Sequence, residues 1–244
     1  MSQVTVRMIG PGTVDSTDSP KRLFCFPYAG GGASAFRSWH LPGTAIYAVQ
    51  PPGREDQIQE APIDSMDSLS SAACEALLPL LDRPFAFFGH CLGGLVAYEV
   101  ARLLEARHHP PPQILIVSAV RPPHMSGPQG LRNLLTDDQF IAWLRTIGGT
   151  PEAALQNRRL MAMVLPALRA DYSLYCSHVT DRIVPLHCPL LSIGGDCDPM
   201  VSLEEVMAWR YYATQFETRI FPGGHFFFAS DEKRFLPVLS DFLM

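Results

Sequence analysis

The chain has 244 residues, of which 47% are apolar and 18% are charged, and its formal net charge is −5. This length and composition predict one globular domain, residues 1–244, with enough apolar residues for a large core. A net negative charge gives no general attraction to nucleic acid or to an anionic membrane surface. No apolar run approaches the length of a membrane span, so we expect neither nucleic acid nor a membrane as a partner.

The six cysteines are scattered along the chain without a CxxC pair. Scattered cysteines predict free thiols and a cytoplasmic protein. The first residues contain no apolar segment long enough for a signal peptide. The sequence also has no clustered His/Cys spacing typical of a metal site, and we expect no metal, nucleotide or flavin cofactor.

Short apolar runs alternate with helical patterns along most of the chain. The predicted strands are Arg22–Phe26, Ala45–Val49, Phe85–Phe88, Ile114–Val117, Leu190–Ile193 and Thr218–Phe221. Helical patterns cover Leu69–Leu81, Leu92–Ala106, a segment that starts at the capping box Ser202–Glu205, and a region around Phe235–Phe242. This alternation predicts an α/β fold, with a mostly parallel sheet covered by helices on both faces. Residues 1–20 are rich in Gly, Pro, Ser, Thr and Asp, and we expect a loose lead-in there.

The segment from about 125 to 183 interrupts the alternation, because it has helical signals and no predicted strand. Thr136 and Gln139 form a capping box, Thr150-Pro151 is typical of a helix start, and a longer helical pattern containing Pro166 follows. An insertion of about 60 residues is too long for a simple connection of about 2–6 residues. We interpret it as a helical lid over the functional site; the alternative is a helical embellishment that only stabilises the fold.

The sequence Gly89-His90-Cys91-Leu92-Gly93 joins the strand at Phe85–Phe88 to the following helix. A strand, a tight turn flanked by glycines and a helix form the nucleophile elbow of α/β-hydrolases, whose pattern is G-x-S-x-G. The turn holds its central residue in a strained conformation, and bulkier residues two positions away would clash, so both glycines are needed. Cys91 is therefore the candidate nucleophile, and its thiol ionises more readily than a hydroxyl.

A nucleophile requires a base, and the base requires an orienting acid. In this fold they follow in the order nucleophile, acid, histidine, after late strands. The predicted strand Leu190–Ile193 is followed by a loop that contains Asp196 and Asp198, and His225 follows the last predicted strand. His225 is the candidate base, and position alone leaves both aspartates open as the acid.

Negative charge on the oxygen of an attacked carbonyl needs fixed donors, and two backbone N–H groups usually supply them. The N–H of Leu92, directly after the nucleophile, is one candidate for this oxyanion hole. The N–H of Ala29, in the Gly-rich loop after an early strand, is the other. Tyr28 and His90, which belong to the same two motifs, are candidates for substrate binding. The loop lacks the G-x-G-x-x-G spacing of a dinucleotide site, and its alternative role is that of a flexible turn.

Several separated motifs, taken together, resemble the type II thioesterases of nonribosomal peptide and polyketide synthesis. The matching motifs are F-P-Y-A-G-G at 26–31, Q-P-P-G-R-E at 50–55, G-H-C-L-G-G at 89–94, L-R-A-D at 168–171, and the blocks at 194–201 and 222–228. The resemblance covers nearly the whole chain beyond residue 20. It favours Asp198 over Asp196 as the acid, and it implies an α/β-hydrolase fold with a helical lid.

The resemblance also implies a substrate and a partner. The substrate would be an acyl group on the phosphopantetheine arm of an acyl or peptidyl carrier protein, removed when it is wrong or stalled. We interpret Arg54 and Asp171, which lie in two of the motifs, as a structural ion pair rather than as direct participants in catalysis.

The chain departs from the family at Cys91, where the family usually has serine. The cysteine is natural, an engineered replacement, or the mark of a drifted site; the intact Asp and His loops argue against the last. The thiol of Cys91 would lie at a helix N-terminus and beside His225, and both favour its ionised form over the neutral thiol. Such a thiolate would exchange one thioester for another, and hydrolysis would complete turnover. The alternatives are an acyltransferase or cyclising enzyme with the same Cys91 intermediate, and a non-catalytic module that binds carrier proteins.

Overall fold

The computed structural model describes residues 3–10, 20–125, 136–180 and 182–243. Its strands are β1 (Thr5–Ile9), β2 (Lys21–Phe26), β3 (Thr44–Gln50), β4 (Phe85–His90), β5 (Leu115–Ser118), β6 (Leu190–Gly195) and β7 (Phe216–Phe221). They form one seven-stranded sheet in the order β1-β3-β2-β4-β5-β6-β7. Strand β1 is antiparallel to β3, and all other neighbouring strands are parallel. The prediction of a mostly parallel sheet is confirmed.

Helices connect most of the parallel strands. They are α1 (Met66–Leu77), α2 (Leu92–Ala106), α3 (Asp137–Ile147), α4 (Glu152–Gln156), α5 (Arg158–Ser177), α6 (Leu203–Met207), α7 (Phe227–Ser230) and α8 (Glu232–Phe242). Short 3₁₀ helices lie at Ala33–Phe36, Glu55–Gln57, Leu78–Leu80, Pro123–Met125 and Ala208–Tyr212. None of the helices in the described ranges combines the length and the apolarity that a membrane span requires.

The sheet is buried on both faces, because its strands alternate between two apolar clusters. Phe24 and Phe26 of β2 join one cluster, which α1 and α2 complete. Leu23 and Cys25 of the same strand join the other, which includes α8. Successive side chains of a strand point to opposite faces, so a continuous apolar run serves both clusters. All six residues of β4, the strand that leads to Cys91, are buried.

The expectation of a loose lead-in over residues 1–20 is wrong for residues 4–9. Thr5–Ile9 forms edge strand β1, paired with β3 from Thr5 opposite Gln50 to Ile9 opposite Ile46. Val4 directly before it is buried in the core. The Gly-, Pro- and Ser-rich composition of the whole segment concealed this short run of β-forming residues. Residues 11–19 lie outside the described part of the chain.

Helices α3, α4 and α5 lie between β5 and β6, within the predicted insertion. The capping box of Thr136 and Gln139 is confirmed at the start of α3. The helix start at 150–151 is displaced by one residue, since Pro151 is the N-cap of α4. These helices have an apolar cluster of their own, formed by Phe140, Leu144, Leu155, Met161 and Leu165. The end of α5 also reaches the main core, because Leu174 and Tyr175 belong to the cluster that α1 and α2 complete. Residues 126–135 and 181 lie outside the described ranges.

Candidate active site

Cys91 lies in the sharp turn between β4 and α2. Its backbone has φ 54° and ψ −126°, a region that non-glycine residues rarely adopt. A Cβ atom on Gly89 would lie 2.2 Å from the carbonyl oxygen of Gly93, and one on Gly93 would lie 2.1 Å from that of Phe26. The N–H of Cys91 donates to the carbonyl of Ser118 at the end of β5 over 2.8 Å. The turn thus has the strained geometry and close backbone approaches of a nucleophile elbow.

Asp198 and His225 meet beside this turn, although they follow different strands. Asp198 lies after β6 and His225 after β7, and Nδ1 of His225 lies 2.9 Å from Oδ2 of Asp198. The other carboxylate oxygen of Asp198 accepts the N–H of Met200 over 2.7 Å. The side chains of His225 and Asp198 are only 3% and 0% exposed. The aspartate is therefore fixed by its own loop and in turn fixes the imidazole ring.

The electrostatic setting of His225 involves Cys91 directly. Burial alone would lower the pKa of His225, but the negative charge of Cys91, hydrogen bonds with Asp198 and Cys91, and the charge of Asp198 raise it to about 10. Because Nδ1 faces Asp198, the Cys91 thiol is within hydrogen-bonding reach of the opposite side of the ring. The structure thus brings Cys91, His225 and Asp198 together in the order that the sequence predicts.

Asp196, the other candidate acid, has a different place. It is exposed, and its Oδ1 accepts the N–H of Gly223 over 2.8 Å. That bond ties the loop after β6 to the loop that leads to His225. Asp196 therefore supports the loop from its surface, whereas Asp198 contacts the histidine.

A narrow cavity with a volume of about 60 Å³ opens on Cys91. Its walls are mainly apolar and aromatic: Tyr28, Phe140, Trp143, Leu144, Ile147, Leu168, Tyr172, Tyr175 and Phe226, with Ala29 and His225 beside Cys91. Four of these residues come from α3 and three from α5, so the helical insertion forms much of the wall. Sequence reasoning missed this lining, because the periodicity of a helix does not show which part of its apolar face will border a cavity.

A second cavity, of about 320 Å³, adjoins the first. Tyr28, Ala29, Thr150 and Leu168 line both cavities. The second also exposes the glycines at 30–32 and the loop around Arg54. Tyr28 thus has the position that the prediction of substrate binding requires.

His90 does not have such a position, and its assignment to substrate binding is corrected. It is completely buried and is not part of the wall of either cavity. Its Nδ1 lies 3.0 Å from Oγ of Ser118, and its ring centroid is 5.2 Å from that of His225. Burial, together with the charge of His225, holds the pKa of His90 well below its usual value. His90 is a neutral packing residue beneath the site, placed there by the inward direction of the last residue of β4.

Known proteins share this fold and sequence pattern. Residues 21–242 match the thioesterase domain family. The gramicidin S biosynthesis protein GrsT of Aneurinibacillus migulanus is 39% identical over 210 residues, which cover 84% of this chain and 82% of that protein. RedJ, a thioesterase from the prodiginine biosynthetic pathway in Streptomyces coelicolor, superposes with a TM-score of 0.86 at 38% identity, over 92% of this chain and 91% of its own.

A further solved structure is the type II thioesterase YbtT from the yersiniabactin NRPS/PKS pathway. It superposes with a TM-score of 0.85 at 30% identity, over 97% of both chains. The resemblance that the sequence motifs predict is confirmed, as is the α/β-hydrolase fold. The chain belongs to the thioesterase domain family and is a thioester hydrolase.

Proposed function

We propose that this enzyme removes acyl groups from the phosphopantetheine thiol of carrier proteins in nonribosomal peptide or polyketide synthesis. The names of the relatives support the setting, because YbtT belongs to an NRPS/PKS pathway and RedJ is a thioesterase of a biosynthetic pathway. The observation that carries the proposal is the contact of His225 with both Cys91 and Asp198 beneath an apolar cavity. Such an arrangement suits covalent catalysis with a thioester on the enzyme.

In the first step the Cys91 thiolate attacks the carbonyl carbon of the bound thioester. The bond from that carbon to the pantetheine sulfur breaks, and the departing sulfur takes the proton of the His225 imidazolium. In the second step water attacks the Cys91 thioester while His225 accepts a proton from it. The carbon–sulfur bond to Cys91 then breaks, which releases a carboxylic acid and restores the thiolate. Asp198 holds the ring and stabilises its charged form.

Two backbone N–H groups, those of Ala29 and Leu92, are the proposed donors to the oxygen of the tetrahedral intermediate. Ala29 lines the cavity beside Cys91, and Leu92 is the first residue of α2, whose N-terminus favours negative charge. Removal of one such fixed donor typically lowers kcat by about 10²- to 10³-fold. Tyr28 forms part of the cavity wall beside Ala29, and we assign it to contact with the acyl group.

The small cavity favours short acyl groups. A volume of about 60 Å³ holds roughly four to six water-sized groups, at about 10–15 Å³ for each. We assign the larger adjoining cavity to the pantetheine arm, because the two cavities share Tyr28 and Ala29 next to Cys91. Thus the acyl group and the arm would lie on either side of the reacting carbonyl.

A carrier protein with an acidic surface would need local positive charge, since the chain is acidic overall. Arg158 and Arg159 at the start of α5 are exposed and are our candidates for this contact; a third candidate, Arg132, lies outside the described residues. All six cysteines are free, and we propose a cytoplasmic location, where free thiols are usual.

Cys91 itself favours a second candidate function. A thioester on cysteine is a good acyl donor, so an amine or alcohol could capture the acyl group in place of water. The test is to mix the protein with an acyl-carrier substrate and to follow the intact protein mass and the products over time. We expect a transient acyl adduct and free acid. An amide or ester product would establish the transferase, and the absence of adduct and product would leave a binding module.

A further inference from the structure

The loop that carries Ala29 is a tight turn from Tyr28 to Gly31. The N–H of Gly31 donates to the carbonyl of Tyr28 over 2.8 Å, and Gly30, at the third position, has φ +74°. A positive φ at that position is typical of a type II turn. The carbonyl of Tyr28 and the N–H of Ala29 belong to one planar peptide unit. Whatever fixes this turn therefore fixes the direction in which the Ala29 N–H points.

Two buried charged side chains hold the turn. Oδ2 of Asp171 accepts the N–H of Gly30 over 2.7 Å, and Nη1 of Arg54 donates to the carbonyl of Gly31 over 3.2 Å. The two side chains also pair with each other, through Nη1–Oδ2 at 2.6 Å and Nη2–Oδ1 at 3.0 Å. They are 5% and 2% exposed. Hence one bidentate ion pair contacts the peptide groups on the far side of Ala29.

The pair also joins the helical insertion to the core. Arg54 lies in the loop after β3, whereas Asp171 lies on α5. Leu168, one turn before Asp171, packs against Gly30. A Cβ atom on Gly30 would lie only 2.4 Å from Cδ2 of Leu168. Helix α5 thus contacts the turn through an apolar side chain and a carboxylate.

We propose that Arg54 and Asp171 are positioning residues for acyl transfer, which set the Ala29 N–H and couple its position to helix α5. This inference rests on the proposed function, since it assigns Ala29 to the oxyanion. A buried ion pair adds little net stability, because removing both charges from water costs about as much as their attraction returns. The hydrogen bonds of this pair to Gly30 and Gly31 instead fix the conformation of the turn that carries the Ala29 N–H.

The test compares two reactions of Cys91 in the variant Asp171→Asn. One is acylation by a small thioester such as acetyl-N-acetylcysteamine, which places negative charge on a carbonyl oxygen. The other is alkylation by iodoacetamide, followed by mass spectrometry of the Cys91 peptide, which needs the thiolate but no oxyanion donor. The amide nitrogen of Asn would face a donor, either Arg54 or the Gly30 N–H, so at least one bond is lost.

We expect the acylation kcat of Asp171→Asn to fall by about 10- to 100-fold, the effect of a displaced donor. We expect KM and the alkylation rate to stay within about twofold of the parent. Asp137→Asn is the matched control, because Asp137 also pairs with an arginine of α5, Arg169, at 2.7 Å, but is exposed. The control variant should change neither reaction.

Equal losses in both reactions would overturn the proposal, because they would indicate a general disturbance of the site. An unchanged acylation rate would overturn it as well. If Asp171→Asn does not fold, Arg54→Lys replaces it, since one ammonium group can pair with the carboxylate but cannot also reproduce the fork that holds Gly31. The same separation of the two rates is expected there. A small thioester is used so that failure to act on a carrier protein leaves this comparison intact.

Discussion

A Cβ atom on Gly93 would lie 2.1 Å from the carbonyl oxygen of Phe26 and 2.5 Å from its carbonyl carbon. The contact joins the first turn of α2 to the end of β2, where the proposed oxyanion loop begins. The carbonyl group of Phe26 cannot move easily to make room, because it belongs to the backbone of a buried strand. The distance between nucleophile and oxyanion loop thus depends on the absence of a side chain at position 93.

We therefore expect Gly93→Ala to destabilise the protein by about 3 kcal/mol or more, at the upper end of overpacking effects. Gly224→Ala is the control, since the added carbon would make an ordinary contact of 3.8 Å with the carbonyl of Cys197. Urea unfolding measures both free energies. Equal stability of the two variants would contradict the close approach.

Asp198→Asn should lower the rate of Cys91 acylation by about 100-fold or more, because an amide no longer stabilises the imidazolium or its orientation. Asp196→Asn should change that rate by less than about threefold, since its oxygen can still accept the Gly223 N–H. Release of free thiol from an acyl thioester in stopped flow gives both rates. The reverse ranking would assign the acid to Asp196.

Most of the fold could be predicted from the sequence, because local patterns determine it. Helix α2 has the predicted bounds Leu92–Ala106, and strands β2 to β7 each overlap a predicted run. The turn at Cys91 was recognisable because its steric requirement appears directly as two glycines. Strand β1 was missed, because an edge strand of five residues gains its stability from pairing with β3 rather than from its own sequence.

The site was predictable only where chain order constrains it. The positions of Asp198 and His225 follow from the strands before them, so their meeting with Cys91 could be anticipated. Whether His90 faces the substrate or the core depends on the direction of one side chain at the end of β4, which its motif does not reveal. The contact of Asp171 with Gly30 joins residues 141 positions apart, and no local signal in the sequence indicates it.

The pKa of His225 should depend on Cys91. Burial lowers it, while the charges of Cys91 and Asp198 and their hydrogen bonds raise it to about 10. In Cys91→Ala the largest of the raising contributions is lost, so the pKa should fall. NMR titration of the imidazole signals measures this, with Cys197→Ala, an exposed thiol in the Asp198 loop, as the control. An unchanged pKa in Cys91→Ala would show that thiol and imidazole do not interact.

The same shift has a consequence for stability. A histidine whose pKa is raised in the folded state binds its proton more tightly there than in the unfolded chain, whose value is about 6.5. The contribution of this proton to the free energy of unfolding is fully present below the unfolded-state pKa of about 6.5. It is lost as the pH rises through the folded-state pKa of about 10. The unfolded chain also holds a proton on its cysteine up to about pH 8.5, the usual value for a thiol. The stability advantage of the parent over Cys91→Ala should therefore shrink mainly between about pH 8.5 and pH 10, as measured by urea unfolding.

Replacement of Cys91 separates the possible reactions of the acyl enzyme. Cys91→Ala should leave a folded protein that never gains an acyl adduct; unchanged turnover in this variant would refute the proposed mechanism.

The variant Cys91→Ser tests which reaction the acyl enzyme undergoes. Its serine hydroxyl needs His225 to remove the proton, and it forms an oxygen ester, whose formation from a thioester is energetically downhill. If hydrolysis is the function and serine the usual nucleophile of the family, turnover to free acid should rise in Cys91→Ser. If cysteine serves acyl transfer, serine should depress the amide or ester product while hydrolysis persists. Product analysis by mass spectrometry, with an amine acceptor present and absent, distinguishes the two outcomes.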